Sequence, residues 1–205
     1  MAPSGFNLLP AHLDPAAQRA LADEILALAR EAPFYRPVTP GGKPMSVQMT
    51  ACGPLGWVSD AAGYRYETRH PLTGRPWPPM PAALIALWAE LCDRQTPPDA
   101  GLINLYDAEA RMGLHQDRDE ADFGFPVLSI SLGDTAIFRL GGSRRGDPTR
   151  SVRLASGDVC ILAGEARLAF HGVDRILAGS SRLIPGGGRI NVTLRRARPA
   201  IPAAS

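Results

Sequence analysis

"RINVTLRR" (Arg189–Arg196) alternates without a break. Ile190, Val192 and Leu194 fall on one side; Arg189, Asn191, Thr193 and Arg195 fall on the other. Residues two apart share a face of a strand, so the segment predicts a strand with one aliphatic face and one bearing two arginines. Two readings are open. On an edge strand the basic face would point to water. Inside a small jelly roll it would point inward, where buried guanidinium groups are costly unless an anion meets them. In that case the aliphatic positions Ile190 and Leu194 would face outward.

The rest of the chain bears on this choice. From Gly101 onward the sequence has a period of two. "GLINLY", "PVLSISLG", "TAIFRLGG", "SVRLASGDVCIL" and "ARLAFHGV" are further strand candidates, with a turn at Ser156-Gly157-Asp158. Helical patterning comes earlier. Asp14-Pro15 is a capping carboxylate followed by a first-turn proline, and Leu21, Ile25, Leu28 and Ala29 then recur at helical spacing, predicting a helix over 15–31. "PAALIALWAELCDR" predicts a second from Pro81 to Arg94, stopped by Thr96-Pro97-Pro98. Between them, residues 34–80 are rich in Pro, Gly, Met and aromatics and read as short strands and irregular turns. Helices first and short strands after give an α+β chain with a sandwich or jelly-roll core. We expect one domain over 1–205, its core at 101–196, and a frayed tail in "RPAIPAAS".

Bulk properties narrow the function classes. A chain of 205 residues, 45% hydrophobic and 20% charged, can bury a substantial core. A net charge of +2 permits a polyanionic partner without demanding one. Three cysteines, Cys52, Cys92 and Cys160, form no CxxC pair and argue for a reducing compartment. "MAPSGFNLLPAHLDP" has no basic segment leading into an apolar one, and no apolar run approaches a membrane span. We therefore expect a soluble, cytoplasmic monomer with no membrane partner.

Two of the four histidines sit in informative places. "LHQDRDE" puts His115 and Asp117 at i, i+2, so at a strand end both project to one side. His171, in "AFHGV", closes a distant apolar segment. Two imidazoles and one carboxylate form a facial triad that holds Fe(II) and leaves coordination positions open; zinc hydrolysis is a competing use of the same donors. The polar face of "RINVTLRR" favours iron, because arginines pair well with a dicarboxylate such as 2-oxoglutarate. "GLINLY" repeats the pattern: Asn104 and Tyr106 share a face opposite Ile103 and Leu105 and can hydrogen-bond a carboxylate. His12 and His70 match no ligand position and read as surface residues.

"LINLYDAEARMGLHQDRDE", "FHGV" and "RINVTLR" together resemble the AlkB family of Fe(II)- and 2-oxoglutarate-dependent dioxygenases, from about Pro33 to Arg196. The resemblance implies a double-stranded β-helix (jelly-roll) core with N-terminal helices and a nucleotide-recognition lid at 34–80. It implies His115, Asp117 and His171 as iron ligands, and Asn104, Tyr106, Arg189, Asn191 and Arg195 as anchors of 2-oxoglutarate, with O₂ as the other co-substrate. The implied reaction is oxidative demethylation of N-alkylated bases such as 1-methyladenine and 3-methylcytosine, by way of a hemiaminal that collapses to formaldehyde. It would act directly on alkylation damage in DNA, preferably single-stranded.

Chemistry on a base requires it to leave the stack and find a stacking platform. Met49, Trp57, Tyr64 and Tyr66 are the candidates, although Met49 and Trp57 read equally well as local core. The resemblance implies that Trp57 stacks on the base near His115, while Tyr64 and Tyr66 contact the DNA backbone. Asp119, two residues past Asp117, would reach the pocket mouth, and the resemblance implies that it meets the exocyclic amino group or positive charge of the base. "GGSRRGDPTR" places Arg144, Arg145 and Arg150 on a turn, a solvated one unless a polyanion meets it, and the resemblance implies that Arg145 contacts substrate. A related oxygenase acting on RNA, protein or a small molecule is the alternative. A catalytically silent nucleic-acid-binding module would need a broken triad or anchor, and both are intact.

Overall fold

In the computed structural model, which describes residues 3–92 and 95–198, two antiparallel sheets lie face to face. The larger runs β1 (Phe6–Leu9), β10 (Val159–Leu162), β7 (Val127–Gly133), β12 (Arg189–Arg195), β5 (Ala100–Tyr106) and β2 (Gln48–Cys52). The smaller runs β6 (Met112–His115), β11 (His171–Leu177), β8 (Thr135–Leu140) and β9 (Arg150–Leu154). A hairpin of β3 (Gly56–Asp60) and β4 (Gly63–Glu67) stands apart from both. This is the jelly-roll arrangement, in which facing sheets enclose a core between their inner faces.

Helix α1 (Pro15–Glu31) begins as the sequence predicts. The Asp14 carboxylate accepts from the backbone N–H groups of Ala16 and Ala17, both at 2.8 Å, and Pro15 occupies the first turn. Leu21, Ile25 and Leu28 form its buried stripe. Helix α2 (Ala82–Leu91) starts after Pro81 and ends sooner than its apolar pattern suggests; Asp93 and Arg94 lie outside the described residues, as does the tail from Pro199. Among the described residues, no helix is long and apolar enough to cross a membrane.

The opening strand lies inside the large sheet, paired on both sides. Arg189, Asn191 and Thr193 stand opposite Tyr106, Asn104 and Leu102 of β5, and β7 flanks the other side. Its polar face turns toward the smaller sheet, as the inward reading requires. The aliphatic face turns away from the space between the sheets, as expected, and is covered by the helices. Ile190, Val192 and Leu194 do not face outward to water; each is fully buried in one cluster with Leu21, Ile25 and Leu28 of α1 and Leu84, Leu87 and Trp88 of α2. The helices cover this face, so both sides of β12 are interior.

Other departures have local causes. "ARLAF" is not a strand: Gly164–Leu168 forms a 3₁₀ turn, and His171 opens β11 rather than closing an apolar segment. Its apolar residues are buried by position, which period-two reading cannot separate from a strand. β1, unpredicted, pairs with β10 at the sheet edge. β2 falls within the expected lid segment, yet it is the other edge strand of the large sheet, paired with β5. Arg150 is the first residue of β9, not a turn residue, and lies over the Phe6 ring. His70 is 1% exposed rather than on the surface. Its Nε2 donates to the Pro33 carbonyl at 2.8 Å, and its Nδ1 accepts from the amides of Leu72 and Thr73. His12 is half-buried and faces Glu90 at 3.4 Å. Cys52 and Cys160 are buried thiols.

The glycine-rich loop before β12 is pinned by one carboxylate. Gly186, Gly187 and Gly188 all have positive φ, which only glycine adopts readily. Asp134, 1% exposed, accepts from the amides of Gly179, Ser181 and Gly188 and delivers the chain into Arg189. Because Ile190 fills space between sheet and helices with no exposure, Ile190→Ala should cost about 2–5 kcal/mol of unfolding free energy. Urea denaturation at constant m-value checks this.

Candidate metal and co-substrate site

β6 and β11 are neighbours, and His115 and His171 stand directly opposite each other across that pair. A Cβ on Gly172 would meet the Met112 carbonyl oxygen at 2.5 Å, so glycine is what lets β11 press against β6 here. Asp117 follows β6 by two residues and folds back toward both rings. His115 Nε2 lies 3.7 Å from Asp117 Oδ1, and His171 Nε2 lies 3.9 Å from Asp117 Oδ2. One ligand atom from each of the three residues falls within 4.8 Å of the others.

The imidazoles are set for a metal. His115 Nδ1 is 2.9 Å from the Gly113 carbonyl and His171 Nδ1 is 2.9 Å from the Ala169 carbonyl. Carbonyl oxygens only accept, so both Nδ1 atoms carry the proton and both Nε2 lone pairs face the shared centre. Burial, with His115 nearby, pushes the pKa of His171 down to about 4, which keeps the ring neutral. Burial alone would raise the pKa of Asp117. Arg195, His171 and His115 together outweigh it and hold the carboxyl well below the usual range. Two neutral nitrogens and one carboxylate oxygen meeting on one side suit a divalent iron with open positions.

Beside this centre a narrow cavity of about 70 Å³ runs between the sheets, lined among others by Asn104, Tyr106, Arg189, Asn191 and Arg195. Arg189 is 1% exposed. Its Nη2 donates to Ser131 Oγ at 2.8 Å and its Nη1 to the Leu154 carbonyl at 3.1 Å. Among the described residues it has no carboxylate partner, and its Nε has no hydrogen-bond partner. Arg195 Nη1 and Asn104 Oδ1 are likewise buried and unmatched. An amide rotated by half a turn offers donors at the same place, so Asn104 can face an anion. Burial raises the pKa of Tyr106 to about 12, leaving a neutral hydroxyl on the wall. These unmatched polar groups beside the metal donors fit a chelating dicarboxylate.

Two of the expected anchors are engaged elsewhere. The Asn191 amide donates to Ser129 Oγ and to the Ile130 carbonyl, and its oxygen accepts from Thr193 Oγ1. It therefore shapes the cavity floor rather than offering a free donor. Arg195 places Nε and Nη2 on Asp117 Oδ2, at 3.2 and 2.8 Å, leaving only Nη1 for a co-substrate.

A model of the 2OG-Fe(II) oxygenase superfamily matches residues 5–195. An alpha-ketoglutarate-dependent dioxygenase AlkB homolog of Caulobacter vibrioides is 70% identical over 196 residues, covering 96% of this chain and 89% of that protein. The chain belongs to the AlkB family. It is an iron(II)- and 2-oxoglutarate-dependent dioxygenase that also uses O₂. Escherichia coli AlkB is 43% identical over 189 residues, covering 88% of this chain and 85% of its own. The solved structure of OsALKBH1 superposes with a TM-score of 0.76 at 32% identity, covering 93% of this chain and 97% of that one.

The AlkB-family chain carries a second, wider cavity of about 670 Å³ outside the triad. Met49, Trp57, Tyr64, His115, Asp119 and Arg145 are all on its lining. Met49, 2% exposed on β2, serves as core and wall together. Trp57 and Tyr64 stack on each other at 5.5 Å, and Trp57 Nε1 donates to Asp119 Oδ2 at 2.7 Å. Asp119 therefore lies at the mouth, outside the donor cluster. Arg145 donates to the Leu114 carbonyl at 3.1 Å and lies over the Phe170 ring at 4.9 Å. Tyr66 departs from expectation: its hydroxyl bonds Glu120 and it packs beside Leu55, Ala100 and Ala197, turned inward from the wall. Sequence reading missed Ser129, Ser131, Glu120 and Arg167; only Glu120, inside "HQDRDE", lay in a stretch singled out for its chemistry.

Asp117→Ala should abolish stoichiometric binding of Co(II), a stand-in for iron, in calorimetric titrations. Arg189→Ala should leave Co(II) binding intact and weaken 2-oxoglutarate by about 2 kcal/mol or more, roughly thirtyfold. Competition between 2-oxoglutarate and a chelating analogue provides the measurement.

Proposed function

We propose that this dioxygenase removes methyl groups from N-alkylated nucleobases, with 1-methyladenine and 3-methylcytosine in single-stranded DNA as substrates. The observation that carries this reading is the Asp119 carboxylate, held by Trp57 at the mouth of the outer cavity within reach of the metal donors. A cationic base is attracted to a carboxylate there, and an aromatic pair offers a face on which it can stack. Support also comes from an Arabidopsis thaliana relative, 41% identical over 108 residues, named a DNA N(6)-methyladenine demethylase.

With iron and 2-oxoglutarate bound, O₂ would be the oxidant, one of its oxygen atoms entering the N-methyl group as a hydroxyl and the other entering succinate as 2-oxoglutarate loses CO₂. The chain supplies position. Arg189 would hold a carboxylate of 2-oxoglutarate, and Asn104, Tyr106 and Arg195 Nη1 line the cavity it would occupy. Trp57 and Tyr64 hold the extruded base, and Asp119 exchanges its indole partner for the amino group or charge of the base. Arg145, exposed at the rim, meets a phosphate. The hydroxymethyl product then breaks its C–N bond, releasing formaldehyde and the unmodified base.

Formaldehyde release from methylated oligonucleotides in a panel of single- and double-stranded DNA and RNA tests this. Release should be greatest with 1-methyladenine and 3-methylcytosine in single-stranded DNA; release confined to RNA, or absent, overturns the assignment. His171→Ala should abolish release. Arg145→Ala should lower the slope of log affinity for single-stranded DNA against log salt by about 0.7, one phosphate contact, with 2-oxoglutarate affinity unchanged.

A further inference from the structure

Asp117 is gripped at two places by two buried arginines, and both arginines converge on Glu120. Arg195 holds the Asp117 carboxylate through Nε and Nη2, and its Nε lies 3.4 Å from Glu120 Oε1. Arg167 donates from Nη1 to the Asp117 backbone carbonyl at 2.6 Å, from Nε to the Phe125 carbonyl at 2.9 Å, and from Nη2 to Glu120 Oε2 at 2.9 Å. Glu120 receives one further bond, from the hydroxyl of Tyr66 on β4. Asp117, Glu120, Arg167 and Arg195 are each no more than 8% exposed.

Stability alone does not explain four buried charges. Buried ion pairs lose about as much in desolvation as they gain, and apolar residues of similar size often serve a fold as well or better. What such a cluster fixes is direction. Both arginine contacts to the Asp117 side chain fall on Oδ2, so the carboxylate cannot rotate freely and Oδ1 stays turned toward His115. The main chain at the same residue is fixed by Arg167. Without Glu120, Arg167 would lose its only ion-pair partner among the described residues, and Arg195 would rest on Asp117 alone.

We propose that Glu120 is a positioning residue for the metal-binding carboxylate, and that the Tyr66 hydroxyl ties the β3–β4 hairpin to that carboxylate through it. The chain of contacts is Tyr66, Glu120, Arg195 and Asp117, so the orientation of the metal ligand and the seating of the hairpin are one arrangement. The inference rests on Asp117 as a metal ligand, and its test needs neither nucleic acid nor turnover.

Co(II) titration of the metal-free protein, followed by visible d–d absorption, reads the first link. Glu120→Gln should weaken Co(II) about tenfold to a hundredfold, the usual effect of removing an outer partner of a ligand, and should alter the band shape. Wild-type affinity and band shape in that variant overturn the proposal. Asp117→Ala is the control: loss of the Co(II) spectrum there, with Glu120→Gln unchanged, removes the positioning role and keeps the metal site. Retention of the spectrum in Asp117→Ala overturns the site and the inference with it. Hydrogen exchange reads the second link. Co(II) loading should slow exchange of the 56–67 amides in the wild type and leave them unchanged in Tyr66→Phe, which keeps the ring and removes the hydroxyl. Equal slowing in both overturns the tie, and this arm decides if circular dichroism shows that Glu120→Gln does not fold.

Discussion

A buried cation with no carboxylate partner among the described residues organises this molecule. Arg189 is 1% exposed between the sheets, and its neighbours are a hydroxyl and carbonyls, not a carboxylate. Desolvation of a guanidinium is costly, and neutral acceptors offset only part of it. Everything around the residue reduces that cost. Asp134 fixes the loop that leads into it, β5 and β7 hold its strand on both sides, and helices α1 and α2 seal the opposite face. A dicarboxylate entering beside Arg189, as proposed, would supply the anion its pocket lacks.

The inner and outer cavities divide the labour of the site. The inner one is narrow and lined by groups that suit an anion; the outer one is wide, aromatic and carries a carboxylate at its mouth. His115, Asp117 and Arg195 belong to both linings. Two of the three candidate metal donors, His115 and Asp117, thus stand at the boundary, where a small co-substrate from one side and a bulky substrate from the other could reach one centre. Proximity of that kind is the protein's main contribution when the oxidising chemistry belongs to the cofactor.

Much of this was readable from the sequence, for a physical reason. β12 sits mid-sheet with both faces buried, so its alternation of aliphatic and polar residues records two different interiors and could not drift. The same holds for Asn104 and Tyr106, opposite Asn191 and Arg189 in register. The capped start of α1 was legible because its signal is local. What failed depended on distant partners. The buried His70 is set by Pro33 and an aromatic nest with Tyr35 and Trp77. The saturation of Asn191 is set by Ser129 on another strand. The inward turn of Tyr66 is set by Glu120, far along the chain. Period and spacing report which face a residue is on, not who already holds it.

The placement of β12 in the middle of its sheet, although last in sequence, also orders events in time. β5 and β7 are made before it and remain without their common neighbour until the final strand slots between them. Pairings this distant along the chain carry a loop-closure cost that slows folding. The second histidine enters with β11, just ahead of it, and Arg195 completes the grip on Asp117 only at the close of β12. A chain without β12 would lack Arg189 and Arg195 together, and with them both the buried cations of the inner cavity and the grip on the Asp117 carboxylate.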